Sequence, residues 1–113
     1  MTTLPDEFKI SVETRGAATV VQVTGEVDLA THEELSERLR EAAGAKKPVI
    51  VDLSGCPFID SSGIRALLLG EREADRLAIA GAGAQVVRIL EMTGVTQAVP
   101  VHDSVEKALE ELG

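Results

Sequence analysis

Two hydroxyls and a carboxylate stand in a row at Asp60-Ser61-Ser62-Gly63, just ahead of an apolar pattern at Ile64, Leu67 and Leu68. That i, i+3, i+4 spacing predicts a helix beginning close to Ser62, so the polar group occupies its entrance. Asp and Ser are favoured there because their oxygens accept hydrogen bonds from the free N–H groups of the first turn. Capping is therefore one complete reading of the segment. A serine that carries a modification is another, and the two are compatible when one residue caps while its neighbour points outward. A phosphate on Ser61 would meet the positive end of the helix and its N–H donors, so the fold should tolerate it. It would still add a charge of about −1.5 to −2 beside Asp60, which a docked partner must desolvate or repel.

The remaining chemistry-bearing residues are dispersed. His32 and His102 are isolated, and no Cys/His cluster has ligand spacing, so no metal is expected. The single Cys56 precedes Pro57 with no histidine near it in sequence and reads as a small packed side chain. Gly81-Ala82-Gly83 lacks the third glycine of a dinucleotide fingerprint and the Lys-Ser/Thr of a P-loop, and reads as a tight turn. Asp52, near the end of a central strand, could imitate the phosphoacceptor of a receiver domain. The acidic pair and the late lysine that such a domain resembles in pattern are absent; Lys46, Lys47 and Lys107 are misplaced. No nucleophile–base–orienter set is present, so the chain is expected to be a binding protein without a cofactor, not an enzyme.

Composition narrows the partners. The 113 residues suit one domain, with positions 8–112 as its ordered core, and 44% hydrophobic residues can fill that core. Two Phe and no Trp or Tyr leave it built of branched aliphatics, as in a parallel sheet covered by helices, with no platform for stacking bases. Nineteen acidic residues against eleven basic give a net charge of −8, which argues against direct nucleic-acid binding. The start, MTTLPDEFK, lacks the basic and apolar regions of a signal peptide, and no apolar run could span a bilayer. A lone cysteine gives no sign of an oxidising compartment. The expected location is the cytoplasm, away from membranes.

The elements that must hold the serine follow from periodicity. Phe8 to Val12 alternates, and Ala18 to Val23 is a β-branched run; Arg15-Gly16 between them predicts a hairpin. Thr31 with Glu34 has capping-box spacing, and Leu35, Leu39, Ala42 and Ala43 share a helical face that Gly44 is placed to end. Pro48 to Leu53 reads as a buried central strand, and Leu77 to Ala80 as another. Val86, Val87 and Leu90 mark a helix stopped at Gly94, and Ala98 to Val101 reads as an edge strand. Asp103-x-x-Glu106 caps a last helix carrying Val105, Ala108, Leu109 and Leu112 on one face. The order is ββαβαβαβα: an α/β domain with a mixed sheet of about five strands and about four helices. Sites in such folds gather at loops leaving the carboxyl ends of strands, as the one after Leu53 does.

Three ordered segments resemble one family. Val51-Asp52-Leu53-Ser54-Gly55-Cys56-Pro57-Phe58-Ile59-Asp60-Ser61-Ser62-Gly63-Ile64 is similar to the signature of STAS domains, especially the bacterial anti-sigma-factor antagonists. Thr24-Gly25-Glu26-Val27-Asp28 resembles their T-G-E-L-D, and Val87 to Gly94 their later helix with its Ser/Thr-Gly stop. The resemblance implies an STAS-like fold over the single domain 1–113. It implies that Ser61 is phosphorylated by an anti-sigma factor that is also an ATP-dependent serine kinase. The unphosphorylated form would bind that anti-sigma factor and free the sigma factor, and a PP2C-type phosphatase would reset the switch. Asp28, otherwise a turn residue, would lie near Ser61 on the partner surface, with Asp60, Ser62 and Gly63 shaping the loop. Arg65 projects from the first turn towards the same surface, either as a contact for an acidic partner or as a solvated charge. The segment after the serines is about one helical turn shorter than the family's and lacks its Gly-rich turn. Another role for the same fold, as a scaffold of a signalling assembly or a regulatory subunit of a transport system, stays open, as does the oligomeric state.

Overall fold

A computed structural model of the chain describes residues 7–112. The expectation that the start is not a signal peptide falls mainly on residues 1–6, outside the described residues. Strands β1 (Lys9–Arg15) and β2 (Ala18–Thr24) form the expected antiparallel hairpin, turned by Gly16 at φ +60°. Strands β3 (Val49–Gly55), β4 (Leu77–Ala80) and β5 (Val101–His102) then add in parallel, giving the sheet order β1-β2-β3-β4-β5. Between them run α1 (His32–Gly44), α2 (Ser61–Glu73), α3 (Ala84–Met92) and α4 (Val95–Ala98), and α5 (Val105–Leu112) ends the chain.

Alternation along the strands separates two cores. Val21, Val23, Val49, Val51, Leu53, Leu77 and Ile79 point to one face and pack with Leu35, Leu39, Leu67, Val86 and Leu90 of the helices α1, α2 and α3. Ala18, Val20, Ile50 and Ala80 point to the other, where Val105 and Ala108 of α5 cover them. Helices therefore lie on both faces of the sheet. Parallel strands buried on both faces need the continuous apolar runs seen at Val49–Val51 and Leu77–Ala80.

Among the described residues five helices stand where about four were expected. The additional one is the single turn α4, entered through left-handed Gly94 (φ +82°) and held by Val95 and Val99, both inside the core. Drawing Val99 inward shortens the expected strand, and β5 keeps only Val101 and His102 at the edge. The capping-box reading of Thr31 and Glu34 is also corrected. Thr31 Oγ1 accepts from Asp28 N (2.9 Å) and donates to Glu26 O (2.9 Å), so it ties the preceding loop and makes no cap bond to α1. At the last helix Ser104 takes the capping role expected of Asp103, its Oγ accepting from Lys107 N at 3.1 Å. Gly44 is the last residue of α1, and the left-handed position after it belongs to exposed Lys46 (φ +59°).

One contact outside the sheet ladders positions the serine segment. Val27 and Ile59 form an isolated parallel bridge: Val27 N donates to Phe58 O (3.0 Å) and Asp60 N donates to Val27 O (3.1 Å). Both side chains are buried, and α2 begins two residues past Ile59. Gly63 completes the seat. A Cβ there would run into Ile59 Cγ1 and would stand 2.7 Å from Val27 Cγ1, closer than side chains pack. Only a residue without a side chain lets the first turn of α2 rest on the bridge.

Two substitutions test these backbone assignments. Gly63→Ala should lower stability by about 1–3 kcal/mol in urea denaturation, because overpacking outweighs the gain in helix propensity. Unchanged stability would mean that the bridge yields freely. Lys46→Gly should act in the opposite direction, raising stability by roughly 0.5–1 kcal/mol as left-handed strain is relieved against added chain entropy; a loss would refute the assignment.

Candidate functional site

The bridge sends Val27 and Ile59 onward in the same direction, so Asp28 and Asp60 leave it side by side. Each carboxylate turns back into its own loop. Asp60 is the N-cap of α2, and its Oδ1 accepts from Ser62 N (2.8 Å) and Gly63 N (3.2 Å). Asp28 Oδ1 accepts from Ala30 N (3.0 Å) and lies 3.2 Å from Thr31 Oγ1, sharing that hydroxyl's one proton with Glu26 O, in an Asx-type turn that closes the approach to α1. The capping role thus falls to Asp60, which leaves both serines free of it. Among the described residues neither the Ser61 nor the Ser62 hydroxyl bonds a protein group. Ser61, the first residue of α2, is exposed; Ser62 is half-buried.

This arrangement revises one expectation about electrostatics. The N–H donors of Ser62 and Gly63 would have been part of an anion's seat at the helix entrance, and Asp60 already occupies them. A charge placed on Ser61 must find its counter-charge elsewhere.

Two shallow depressions border Ser61. One, of about 260 Å³, is lined by Leu29, His32, Ser61, Ser62 and Arg65. The other, of about 500 Å³, is lined by Ser61, Ile64, Arg65, Leu68, Leu69 and Arg72. The structure thus brings Ser61, Ser62 and Arg65 together on one surface. Gly63 lies beneath it, and Asp60 and Asp28 brace its rim without lining it. Arg65 is exposed on the wall of both depressions.

Sequence reasoning missed the apolar part of this surface. Leu29 is 75% exposed and Leu69 is 46% exposed, large apolar side chains flanking the serine on either side. A signal existed for Leu69: three consecutive leucines, Leu67 to Leu69, cannot share one face of a helix, and Leu67 takes the core. Leu29 had no periodicity to betray it, since it sits in a loop. His32 stood out in the sequence only as an isolated histidine, and the packing of α1 beside α2 brings it to the serine; Arg72, on the wall of the larger depression, was not singled out.

Cys56 lies just below, buried, its thiol donating to Phe58 O at 3.2 Å. Burial pushes its pKa up, against smaller lowering by the backbone hydrogen bonds at Phe58 and Val27. A thiol kept protonated in the core is a packing group, as the sequence suggests. A further depression of about 310 Å³ opens between the ends of β2 and β3 and the start of α3, lined by Thr24, Gly25, Ser54, Gly55 and Gln85 among others. It carries no charged side chain. Among the described residues no group of three His, Cys, Asp or Glu side chains could hold a metal ion, and no helix is long and apolar enough to cross a membrane.

Comparison with known proteins places this geometry. The anti-sigma F factor antagonist of Paenibacillus polymyxa is 26% identical over 111 residues, covering 93% of this chain and 95% of that protein. The fold of an anti-sigma factor antagonist from Mycobacterium paratuberculosis superimposes with a TM-score of 0.89, at 23% identity over 98% of each chain. The Bacillus cell fate determinant SpoIIAA in its phosphorylated form has a TM-score of 0.67, at 19% identity, covering 95% of this chain and 100% of that one. The family model described as Mlab, STAS domain, matches residues 10–106, from the first strand into the last helix. With sheet order, signature loop and sequence profile in agreement, the chain belongs to the STAS domain family.

Proposed function

We propose that the protein is an anti-sigma-factor antagonist whose surface around Ser61 docks on an anti-sigma factor and is switched off by phosphorylation of that serine. The observation that carries this reading is the division of labour at the start of α2. Asp60 does the capping, Gly63 seats the helix, and the Ser61 hydroxyl is left exposed with no structural duty. Around it lie Leu29, Ile64, Leu68 and Leu69, apolar area of the kind that anchors protein partners, bordered by Arg65 and Arg72. The antagonist relatives and the occurrence of a phosphorylated neighbour with this fold support it.

In this reading the partner is both anti-sigma factor and serine kinase. The γ-phosphoryl group of its ATP moves to Ser61 Oγ; the new O–P bond forms as the bond to ADP breaks, and the hydroxyl proton passes to a base of the kinase. A PP2C-type phosphatase returns the serine by hydrolysis. The chain itself binds and is acted upon in the cytoplasm, and supplies no catalytic group. The added charge of about −1.5 to −2 spoils docking by desolvation and repulsion, and leaves the scaffold intact because Ser61 holds nothing together. Asp28 takes part at the rim, Asp60 as the cap, Ser62 in the lining, Gly63 as the seat and Arg65 at the border of the docking surface.

Two measurements test the proposal. Incubation with the cognate anti-sigma kinase and ATP should add one phosphate, and peptide mapping should place it on Ser61. Modification elsewhere, or none, would overturn the assignment. Ser61→Asp should weaken the complex at least tenfold by calorimetry with the melting temperature nearly unchanged; equal affinity of the two forms would argue against a charge switch.

A further inference from the structure

Ser61 and Arg65 are four residues apart on α2, the spacing that stacks two side chains on one face of a helix. Arg65 lines both depressions that Ser61 borders. It makes no ion pair among the described residues: the three that exist join Arg15 to Glu106, Arg38 to Glu41 and Arg40 to Glu73. Arg65 is exposed, so its guanidinium is free to meet a new anion on the same face. The neighbouring acids are engaged, Asp60 by the N–H groups of Ser62 and Gly63, Asp28 by Ala30 and Thr31. No Asp or Glu lines either depression, and His32 from α1 faces the serine across the smaller one.

We propose that Arg65 is the built-in counter-ion of phosphorylated Ser61, pairing with the phosphate along α2 within the same chain. This rests on the reading of Ser61 as the modified residue and deepens it. Asp60 already holds the N–H groups of Ser62 and Gly63. Of the basic side chains lining the depressions, His32, Arg65 and Arg72, only Arg65 lies one helical turn from Ser61 on the same helix; its planar fork suits phosphate oxygens. Phosphorylation then changes the docking surface twice. It adds negative charge at Ser61, and it withdraws Arg65 from any carboxylate of the partner.

The test installs phosphoserine at position 61 of the full chain by genetic encoding, so no kinase is needed. Phosphorus NMR then follows the second ionisation of the phosphate, about 6 for an isolated phosphoserine. Pairing with a cation favours the dianion, so the apparent pKa should lie roughly half a unit below that of the phosphorylated Arg65→Gln chain. Arg65→Lys should recover part of the shift. Arg88→Gln, which removes an equal charge from an exposed position on α3, should leave the value where it was. Identical phosphate pKa values in the unsubstituted and Arg65→Gln chains would overturn the proposal, as would an equal response to Arg88→Gln. Neither result bears on whether a kinase selects Ser61, and a kinase that ignores Ser61 would leave the NMR result standing.

Discussion

The bridge between Val27 and Ile59 governs the geometry of the serine surface. Beyond the sheet ladders, two loops that leave β2 and β3 are joined by two backbone hydrogen bonds, with both side chains turned into the core. Burial around those bonds excludes water, so breaking them would expose apolar surface and leave polar backbone unpaired. The arrangement fixes where α2 begins, and with it the direction in which its first residue points. Gly63 is part of the same constraint, since the helix can rest on the bridge only where no Cβ intervenes.

From that fixed entrance the surface divides into groups with separate duties. Asp60 and Asp28 spend their carboxylates on the local backbone, and Thr31 closes the loop into α1. What remains outward is an unengaged hydroxyl, two arginines and several leucines. A switch residue works best when it contributes nothing to the fold, because then its change of charge is felt by the partner alone. Ser61 meets that condition at the edge of a rigid platform. The surface also departs locally from the character of the whole: in an acidic chain, the two depressions beside this serine are lined by cationic, polar and apolar side chains, while Asp60 and Asp28 at the rim turn into their own loops.

Some sequence-based expectations failed in an instructive way. Thr31 and Glu34 have the spacing of a capping box, but Thr31 found a better use in the loop that the bridge creates. Gly44 does end α1, but the left-handed position falls on Lys46, and at the last helix Ser104 takes the cap from Asp103, because the details of helix ends shift by a residue or two when the packing beyond them demands it. Val99 was read as strand and became the anchor of a one-turn helix, because an apolar residue near Pro100 can satisfy the core from either conformation. In each case local chemistry allowed two outcomes, and a tertiary contact selected one.

Residues near one another along the chain could be read from sequence because their interactions are local. The position of β1, the apolar runs of β2, β3 and β4, the apolar face of α5 and the entrance of α2 at Asp60-Ser61 all follow from periods of two or 3.6 and from capping chemistry, although in β1 only Ile10 is buried and Val12 stays exposed on the edge strand. The D-S-S-G segment could be singled out for the same reason. That Leu29 and His32, some thirty residues earlier, stand across from Ser61 was decided only by folding, since it depends on a parallel bridge between two loops and on α1 lying beside α2. Which donors Asp60 would occupy was likewise settled by three-dimensional packing. Periodicity carries the face a residue turns to the core; it carries no record of what that face will meet.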